Sequence, residues 1–194
     1  MYEIRIQKEK IRLQYIEKRK NIPEEIAAFQ DKKICERFMA LVTYRYAEAL
    51  LMYAPHGSEI DVSHIARHAL QSGKIVAYPR CDTQGYTMDY HIINSFDELE
   101  KGAYGIMEPL ANLPVYDIDS GLKTVCIVPA LVYDRHGYRI GYGKGYYDRF
   151  LAGFKGARVG LVYNDFIVSN VPRGRYDLAV DVLVTEKGVK ALNG

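Results

Sequence analysis

Residues 139–148 read Arg-Ile-Gly-Tyr-Gly-Lys-Gly-Tyr-Tyr-Asp, and this segment, the glycine loop, decides how the rest of the chain is interpreted. Its three glycines stand at alternate positions and leave the backbone uncovered, so that its N–H groups can close directly on a phosphate. Lys144 lies between two of the glycines and Arg139 precedes them, and both add positive charge. Asp148 follows where a helix should begin, which suits a carboxylate that holds a divalent cation against phosphates. The loop therefore predicts a nucleotide-phosphate site with its own metal ligand.

Two common glycine motifs do not fit the glycine loop. A P-loop needs Ser or Thr after its lysine, whereas Lys144 is followed by Gly145. The dinucleotide-binding fingerprint needs a glycine three residues after Gly143, and position 146 is tyrosine. A simpler explanation stays open, because glycines at a corner between a strand and a helix can serve only to make the turn.

Apolar runs on both sides of the glycine loop predict buried strands that alternate with helices. The strongest strand is predicted at 124–133, and a helix at 146–154 and a strand at 157–163 follow the loop. Further strands are predicted at 49–53, 74–79, 86–93 and 180–184. Further helices are predicted at 3–20, 22–47, 61–73 and 96–101.

This alternation is typical of a three-layer α/β/α domain with a mainly parallel central sheet, a Rossmann-like architecture. In such sheets ligands bind beyond the carboxyl ends of the strands. The glycine loop follows a predicted strand and precedes a predicted helix, which is where that rule expects a phosphate. With 194 residues we expect one domain, 1–194, with an N-terminal helical segment at 3–47.

The composition argues against several classes of protein. The three cysteines are far apart and odd in number, which points to a reducing compartment without disulfides. The net charge of +2 gives no general case for nucleic-acid binding. The longest apolar run, at 125–133, is too short to span a bilayer and contains Pro129. We therefore expect a cytoplasmic monomer that binds neither nucleic acid nor membrane.

Three further segments carry polar residues. Lys8 and Arg12 lie one helical turn apart on one face of the first predicted helix, which by itself is most simply a solvated basic face. Glu108 stands before a proline in the sequence Gly-Ile-Met-Glu-Pro, which alone is a turn. Near the end of the chain, residues 172–177 read Pro-Arg-Gly-Arg-Tyr-Asp and precede Val-Asp-Val-Leu-Val-Thr-Glu at 180–186.

In this order, and together with the glycine loop, these segments resemble the 5-formyltetrahydrofolate cyclo-ligase family, also called methenyltetrahydrofolate synthetases. The resemblance runs from Lys8 to Glu186, and the glycine loop is its most specific part. It implies ATP-dependent closure of 5-formyltetrahydrofolate to 5,10-methenyltetrahydrofolate with release of ADP and phosphate. ATP would be the co-substrate and Mg²⁺ the cofactor.

The resemblance also implies roles for individual residues. The ATP contacts correspond to Lys8, Arg12, Arg139, Ile140, Gly141, Tyr142, Gly143, Lys144, Gly145, Tyr146 and Tyr147. Among these, Lys144 and Arg139 are the catalytic candidates, because they would stabilise charge on the transferred phosphoryl group. The magnesium carboxylates correspond to Asp148 and Asp177. The folate contacts correspond to Ala54, Glu59, Glu108, Tyr142 and Tyr146, with Ala54 in a place where a larger apolar residue is expected.

One alternative remains at this point, a nucleotide- or sugar-phosphate-binding module of similar fold without ATP chemistry. Such a protein would keep the glycines but would not need two metal carboxylates. Phosphoryl transfer requires mainly positioning and charge stabilisation, which agrees with a sequence that offers no recognisable Ser/His/Asp set.

Overall fold

The computed structural model describes residues 2–192, so both ends of the predicted domain, 1–194, lie outside the described residues. The α-helices are α1 (Tyr2–Lys20), α2 (Glu24–Ala40), α3 (Val42–Tyr46), α4 (Ser63–Gln71) and α5 (Tyr146–Gly153). The strands are β1 (Ala49–Leu51), β2 (Ile75–Asp82), β3 (Thr87–Ile93), β4 (Leu99–Lys101), β5 (Met107–Pro109), β6 (Thr124–Val128), β7 (Val132–Asp134), β8 (Arg139–Ile140), β9 (Ala157–Leu161), β10 (Ile167–Val168), β11 (Val182–Val184) and β12 (Val189–Ala191).

A seven-stranded sheet with the order β12-β11-β9-β6-β1-β2-β3 forms the centre of the protein. The five inner strands run parallel, and the two edge strands, β3 and β12, pair antiparallel with their neighbours. From the central pair the chain moves in opposite directions, from β1 to β2 and from β6 to β9. The gap between β1 and β6 is therefore a topological switch point, where open α/β sheets form their ligand-binding crevice.

Helices cover both faces of this sheet. Helix α4 connects β1 to β2, and α5 lies in the connection from β6 to β9. Because such crossovers are right-handed and these two run in opposite directions, the two helices lie on opposite faces. Helices α2 and α3 pack beside α4, where Phe38 meets Tyr44 and Tyr44 shares a hydrogen bond of 2.5 Å with His68. On the other face, Phe150 of α5 packs on Tyr90 of β3 with ring centroids 4.8 Å apart. The predicted fold class is confirmed.

Complete burial of the central strands explains why their apolar runs are clear in the sequence. All three residues of β1 and all five of β6 are buried, because helices cover the parallel sheet on both sides. Cys126 of β6 is one of these residues, and it and the other two cysteines are free thiols. Within residues 2–192 no helix combines the length and the apolar character needed to cross a membrane.

Two predicted elements are wrong in extent. The single helix predicted at 22–47 is two helices, because Leu41 adopts an extended backbone (ψ 141°) and its N–H closes α2 on the carbonyl of Phe38. The single strand predicted at 124–133 ends at Val128, since Pro129 lacks the N–H that a central strand must donate. The chain resumes as β7, which forms a separate three-stranded sheet with β8 and β10.

Short elements were misassigned or missed. The helix predicted at 96–101 is only a 3₁₀ turn at Phe96–Glu98, and β4 follows it and pairs with β5. Ser95 caps the start of this turn with a capping box, in which its hydroxyl accepts from the N–H of Asp97. The strands β4, β5, β10 and β12 have two or three residues each, too few to show a period.

Candidate active site

The glycine loop joins β8 to α5 at the carboxyl end of the central sheet. Gly143 and Gly145 have φ values of 90° and 75°, which side-chain-bearing residues rarely adopt. Lys144 between them does not share this conformation, and such alternation forms concave sets of N–H groups that bind anions. Within residues 2–192 the N–H groups from Tyr142 to Gly145 donate to no protein acceptor. The loop therefore presents unused backbone donors at the start of a helix.

Helix α1 brings two cations to the glycine loop. Arg12 donates from Nε to the carbonyl of Gly141 at 2.8 Å. Its guanidinium lies close to Gly143, where a Cβ atom would be 2.8 Å from Cζ and would displace the flexible arginine, and the φ of 90° also favours glycine at this position. One turn earlier, Lys8 forms an ion pair with Oδ2 of Asp177. The helical spacing of the two cations thus puts both on one face of α1, beside Gly141 and Asp177.

Arg139 lies between the two predicted magnesium carboxylates. It is buried, and its Nη2 donates to Oδ1 of Asp148 at 2.7 Å. Its Nη1 donates to the carbonyl of Leu178 at 2.9 Å, directly after Asp177. Asp177 in turn accepts the N–H of Gly174 at 2.6 Å, which fixes the carboxylate in its turn. One arginine therefore connects the turn at 174–178 to the first turn of α5.

The donor set suits a metal ion that is shared with phosphate oxygens. Within residues 2–192 no group of three or more His, Cys, Asp or Glu side chains could enclose a metal. Asp148 and Asp177 supply two carboxylates, each paired with a cationic side chain. Mg²⁺ usually takes one or two carboxylates and completes its octahedron with waters and substrate phosphates. A site with these two carboxylates fits that habit.

The segment after β1 contains the buried Ala54, and further along the chain it brings Glu59 to the crevice. Glu59 accepts the N–H of His56 at 2.9 Å, and the His56 ring lies edge-on to Tyr142 at 6.2 Å. Burial raises the pKa of Glu59 to about 7, although the His56 N–H and the charge of Arg19 each act to lower it. Near neutral pH this group can therefore be either a carboxylate or an acid.

The two tyrosines that begin α5 have different surroundings. Tyr146 packs on Tyr104, with ring centroids 6.5 Å and hydroxyls 3.3 Å apart. Tyr147 points inward and accepts from the hydroxyl of Tyr90 at 3.5 Å, and burial raises its pKa. Lys144 is exposed, its Nζ lies 5.6 Å from the centre of the Tyr104 ring, and it makes no ion pair within residues 2–192. Lys144 is thus exposed on the glycine loop, Tyr146 is buried against Tyr104, and Tyr147 is partly buried against Tyr90.

Two predicted site residues, Ile140 and Glu108, have buried side chains. Ile140 pairs with Val132 in the small sheet, and its side chain is buried in an apolar cluster, so that only its main chain can approach a ligand. Glu108 is buried against Gly102 and accepts the N–H of Cys81 at 3.3 Å. Burial, together with the charge of Glu108, raises the pKa of the Cys81 thiol to about 12, so this thiol stays protonated near neutral pH.

Sequence reasoning missed two arginines. Arg19 lies on the same face of α1 as Arg12, seven residues further on, and extending that face would have found it. It is buried and donates to the carbonyl of Ala130 at 2.8 Å, while its Nε has no partner within residues 2–192. Arg149 donates from Nη2 to the carbonyl of Lys144 at 2.6 Å. It lies one turn into α5, where the glycine pattern gives no signal.

Sequence comparison connects this chain with known enzymes. The model of the 5-formyltetrahydrofolate cyclo-ligase family matches residues 5–186. The 5-formyltetrahydrofolate cyclo-ligase of Mycolicibacterium smegmatis is 27% identical over 196 residues, which cover 95% of this chain and 97% of that protein. The enzyme of the same name from Mus musculus is 25% identical over 167 residues, or 81% of this chain and 82% of its own.

Structural comparison agrees. The NMR structure of Aquifex aeolicus 5,10-methenyltetrahydrofolate synthetase matches with a TM-score of 0.85 and 32% identity, over 96% of this chain and 93% of that one. A synthetase from Mycoplasma pneumoniae matches with a TM-score of 0.74 at 17% identity, over 92% of this chain and 98% of that one, which shows the fold alone. The resemblance seen in the sequence is confirmed, and the protein is an enzyme rather than a phosphate-binding module. The chain belongs to the 5-formyltetrahydrofolate cyclo-ligase family.

Proposed function

We propose that this enzyme uses ATP and Mg²⁺ to close 5-formyltetrahydrofolate to 5,10-methenyltetrahydrofolate, with release of ADP and phosphate. The observation that carries the proposal is the meeting of unused N–H donors with cations and carboxylates in one crevice. The cations are Lys8, Arg12, Arg139 and Lys144, and the carboxylates are Asp148 and Asp177. A triphosphate with a divalent cation matches this arrangement of charge, because its oxygens take the donors and its metal takes the carboxylates.

The reaction needs a leaving group, since a formyl oxygen leaves poorly. Transfer of the γ-phosphoryl group from ATP to that oxygen gives an imidoyl phosphate and ADP. The N10 nitrogen then attacks the activated carbon, loses its proton, and the ring closes as phosphate leaves. Phosphoryl transfer asks the protein for positioning and charge stabilisation rather than for a nucleophile, and amides and fixed cations supply both.

The four cations would have different roles. Within residues 2–192 Lys144 has no carboxylate partner, so its ammonium group would be available to the transferred phosphoryl group. Arg139 would stabilise the same charge and keep Asp148 in place. Lys8 and Arg12 would hold the remaining phosphate oxygens from α1. Asp148 and Asp177 are the residues that would hold Mg²⁺, which when bound would supply positive charge to stabilise the transferred phosphoryl group.

The folate would lie on the Glu59 side of the crevice. The pyrimidine ring of a pterin offers two adjacent N–H donors, and one carboxylate can accept both. Tyr142 and Tyr146 would flank the substrate, and the small side chain of Ala54 would leave room beside it. Glu108 would act from behind the pocket, since its carboxylate is buried against the N–H of Cys81.

We also propose that one domain, 1–194, works as a cytoplasmic monomer without nucleic-acid or membrane partners. The net charge of only +2 gives no general case for nucleic-acid binding. The compartment varies among relatives, because the Arabidopsis thaliana protein carries the word mitochondrial in its name.

The test mixes the purified protein with 5-formyltetrahydrofolate, ATP and Mg²⁺. The near-ultraviolet absorbance of the methenyl product is followed, with ADP measured in parallel. We expect equal amounts of product and ADP, and no product when any one of the three components is omitted. Nucleotide binding without methenyl product would contradict the folate assignment, and product without ADP would contradict phosphoryl transfer.

A further inference from the structure

Arg149 connects the glycine loop to a hairpin that is distant in sequence. Its Nη2 donates to the carbonyl of Lys144 and its Nε to the carbonyl of Tyr86, both at 2.6 Å. The guanidinium also lies over the rings of Tyr86 and Tyr146, 5.8 Å and 5.9 Å from their centres. It fills the space beside Gly145, where a Cβ atom would be 3.0 Å from Nη1. A single planar fork of donors thus spans two loops.

The hairpin carries a tyrosine in an unusual conformation. Tyr86 and Tyr104 have φ values of 53° and 57°, the left-handed region that bulky residues rarely enter. Both rings pack on Tyr146, with centroid distances of 6.3 Å and 6.5 Å. Strained residues of this kind persist where their surroundings hold them, and they concentrate at ligand sites. Two strained tyrosines from separate loops therefore converge beside Lys144.

The hairpin tip, residues 82–87, is built as a rigid turn. The carboxylate of Asp82 accepts the N–H groups of Gln84 and Gly85 at 2.9 Å and 3.0 Å. The hydroxyl of Tyr146 lies 3.5 Å from the carbonyl of Asp82. The 2.6 Å bond from Arg149 is the shorter of these two connections between the tip and α5, and it is made to the main chain of Tyr86 itself.

We propose that Arg149 is a positioning residue that fixes the hairpin tip to the glycine loop, so that Tyr86 forms an outer wall of the folate pocket. This inference rests on the proposed function. The flat, conjugated rings of a folate suit a wall of aromatic faces, and a wall that is held in place avoids the cost of ordering it on binding. Arg149 itself need not touch the substrate, because it acts through the position of the Tyr86 ring.

The test measures binding by calorimetry, with 5-formyltetrahydrofolate as the titrant and no ATP present. Arg149→Gln should bind the folate about tenfold more weakly, because a bond from a charged donor is lost and the wall is no longer fixed. In the turnover assay the KM for 5-formyltetrahydrofolate should rise while kcat changes little. The matched control is Arg67→Gln, an exposed arginine of α4 that lies over Phe96 and should leave affinity and KM unchanged.

Variants of Tyr86 separate positioning from general stability. Tyr86→Ala should weaken folate binding as much as Arg149→Gln, whereas Tyr86→Phe keeps the ring and should bind like the wild type. The double variant Arg149→Gln/Tyr86→Ala should be no weaker than either single variant, because both act through one ring. Additive losses, or unchanged affinity in a folded Arg149→Gln protein, would overturn the proposal. If Arg149→Gln does not fold, equal affinities of Tyr86→Ala and Tyr86→Phe would overturn it instead.

The two proposals fail in different ways. A wild type that binds 5-formyltetrahydrofolate but forms no methenyl product contradicts the proposed function, and the comparison of Arg149 and Tyr86 variants by calorimetry still decides whether Arg149 positions Tyr86. A wild type that does not bind the folate at all contradicts both proposals.

Discussion

Arg139 donates a hydrogen bond of 2.7 Å to Oδ1 of Asp148, so a cation proposed for phosphate is paired with a carboxylate proposed for the metal. Lys8 and Asp177 repeat this arrangement. Each carboxylate is neutralised before any ligand binds, which avoids the cost of leaving partly buried like charges together. An incoming metal–triphosphate brings both charges, and we infer that the cations would then turn to phosphate and the carboxylates to the metal.

Replacing Lys144 tests the charge stabilisation directly. Lys144→Ala should lower kcat by about a hundred- to a thousand-fold, the usual loss when one charge-stabilising donor is removed. The melting temperature should not change, since the side chain is exposed and forms no ion pair within residues 2–192. Initial rates of methenyl formation and a thermal melt measure both effects. Lys155→Ala, at the opposite end of the sheet, is the control. Normal turnover by a folded Lys144→Ala protein would exclude Lys144 from charge stabilisation.

Asp177 can be tested through the metal. Asp177→Asn keeps an oxygen for the N–H of Gly174 but removes the charge, so the fold should survive. We expect the Mg²⁺ concentration for half-maximal rate to rise about tenfold, as metal sites lose affinity when a ligand is weakened. A magnesium titration at saturating ATP measures it, with the exposed Asp119→Asn as the control. An unchanged magnesium requirement would exclude Asp177 from the metal site.

The parts of the fold that the sequence predicted are those with strong local signals. β1 and β6 are buried on both faces and read as unbroken apolar runs, and the glycine loop has a spacing that few other structures need. Lys8 and Arg12 were paired correctly because helical spacing alone puts them on one face. Their contacts with Asp177 and Gly141 came only from the resemblance or from the structure.

The remaining features depend on contacts that no local pattern encodes. The small sheet of β7, β8 and β10 has strands of two or three residues. Pro129 separates β7 from β6, although the two strands belong to one apolar run in the sequence. Arg149 and Tyr86 are 63 residues apart, and their bond exists only after the sheet has formed. Glu108 was predicted in a turn, but it lies in β5, and pairing of β4 with β5 buries it. Tertiary structure decided each of these cases.

The pKa of Glu59 gives a pH profile with a definite sign. Burial raises this pKa to about 7, and the proposed folate contact needs the ionised carboxylate. The kcat/KM for 5-formyltetrahydrofolate should therefore fall about tenfold per pH unit below about 7, provided that the substrate does not titrate there. In Glu59→Gln this limb should be absent and kcat/KM low throughout. A wild-type profile that is flat between pH values of about 5 and 8 would contradict the assignment.

As the pH rises, ionisation of Glu59 should increase kcat/KM but decrease the stability of the folded protein. Because the folded-state pKa lies above the ordinary 4.5, the folded protein binds the extra proton, and stability falls as the pH rises from about 4.5 to about 7. Glu59→Gln removes this cost and should exceed the wild type in free energy of unfolding by on the order of 2 kcal/mol at about pH 8. The difference should vanish below about pH 4.5. Urea unfolding at both pH values measures it, and a destabilised Glu59→Gln at the higher pH would contradict this account.

Asp134 holds together the small sheet from which Arg139 projects. The side chain is fully buried and forms an ion pair with Arg173 at 3.0 Å. It also accepts the N–H groups of Tyr138 at 3.0 Å and Val171 at 3.2 Å, which lie in the β7–β8 turn and in the segment before Arg173. One carboxylate therefore satisfies donors from two parts of the chain that would otherwise be buried without partners.

Asp134→Asn should destabilise the protein by about 1–3 kcal/mol, because the amide offers only one acceptor oxygen and leaves a buried N–H without a partner. Arg173, whose side chain is 37% exposed, loses its charge partner but stays in contact with water. The control is Asp119→Asn, which removes an ion pair with Lys155 in which the two side chains are 67% and 83% exposed and should cost at most about 1 kcal/mol. Urea unfolding gives both values, and an unchanged m-value would show that the denatured state is not altered. Equal stability of the two variants would contradict a structural role for Asp134. If the role holds, activity per folded molecule should also fall in Asp134→Asn, since β8 fixes Arg139 against Asp148.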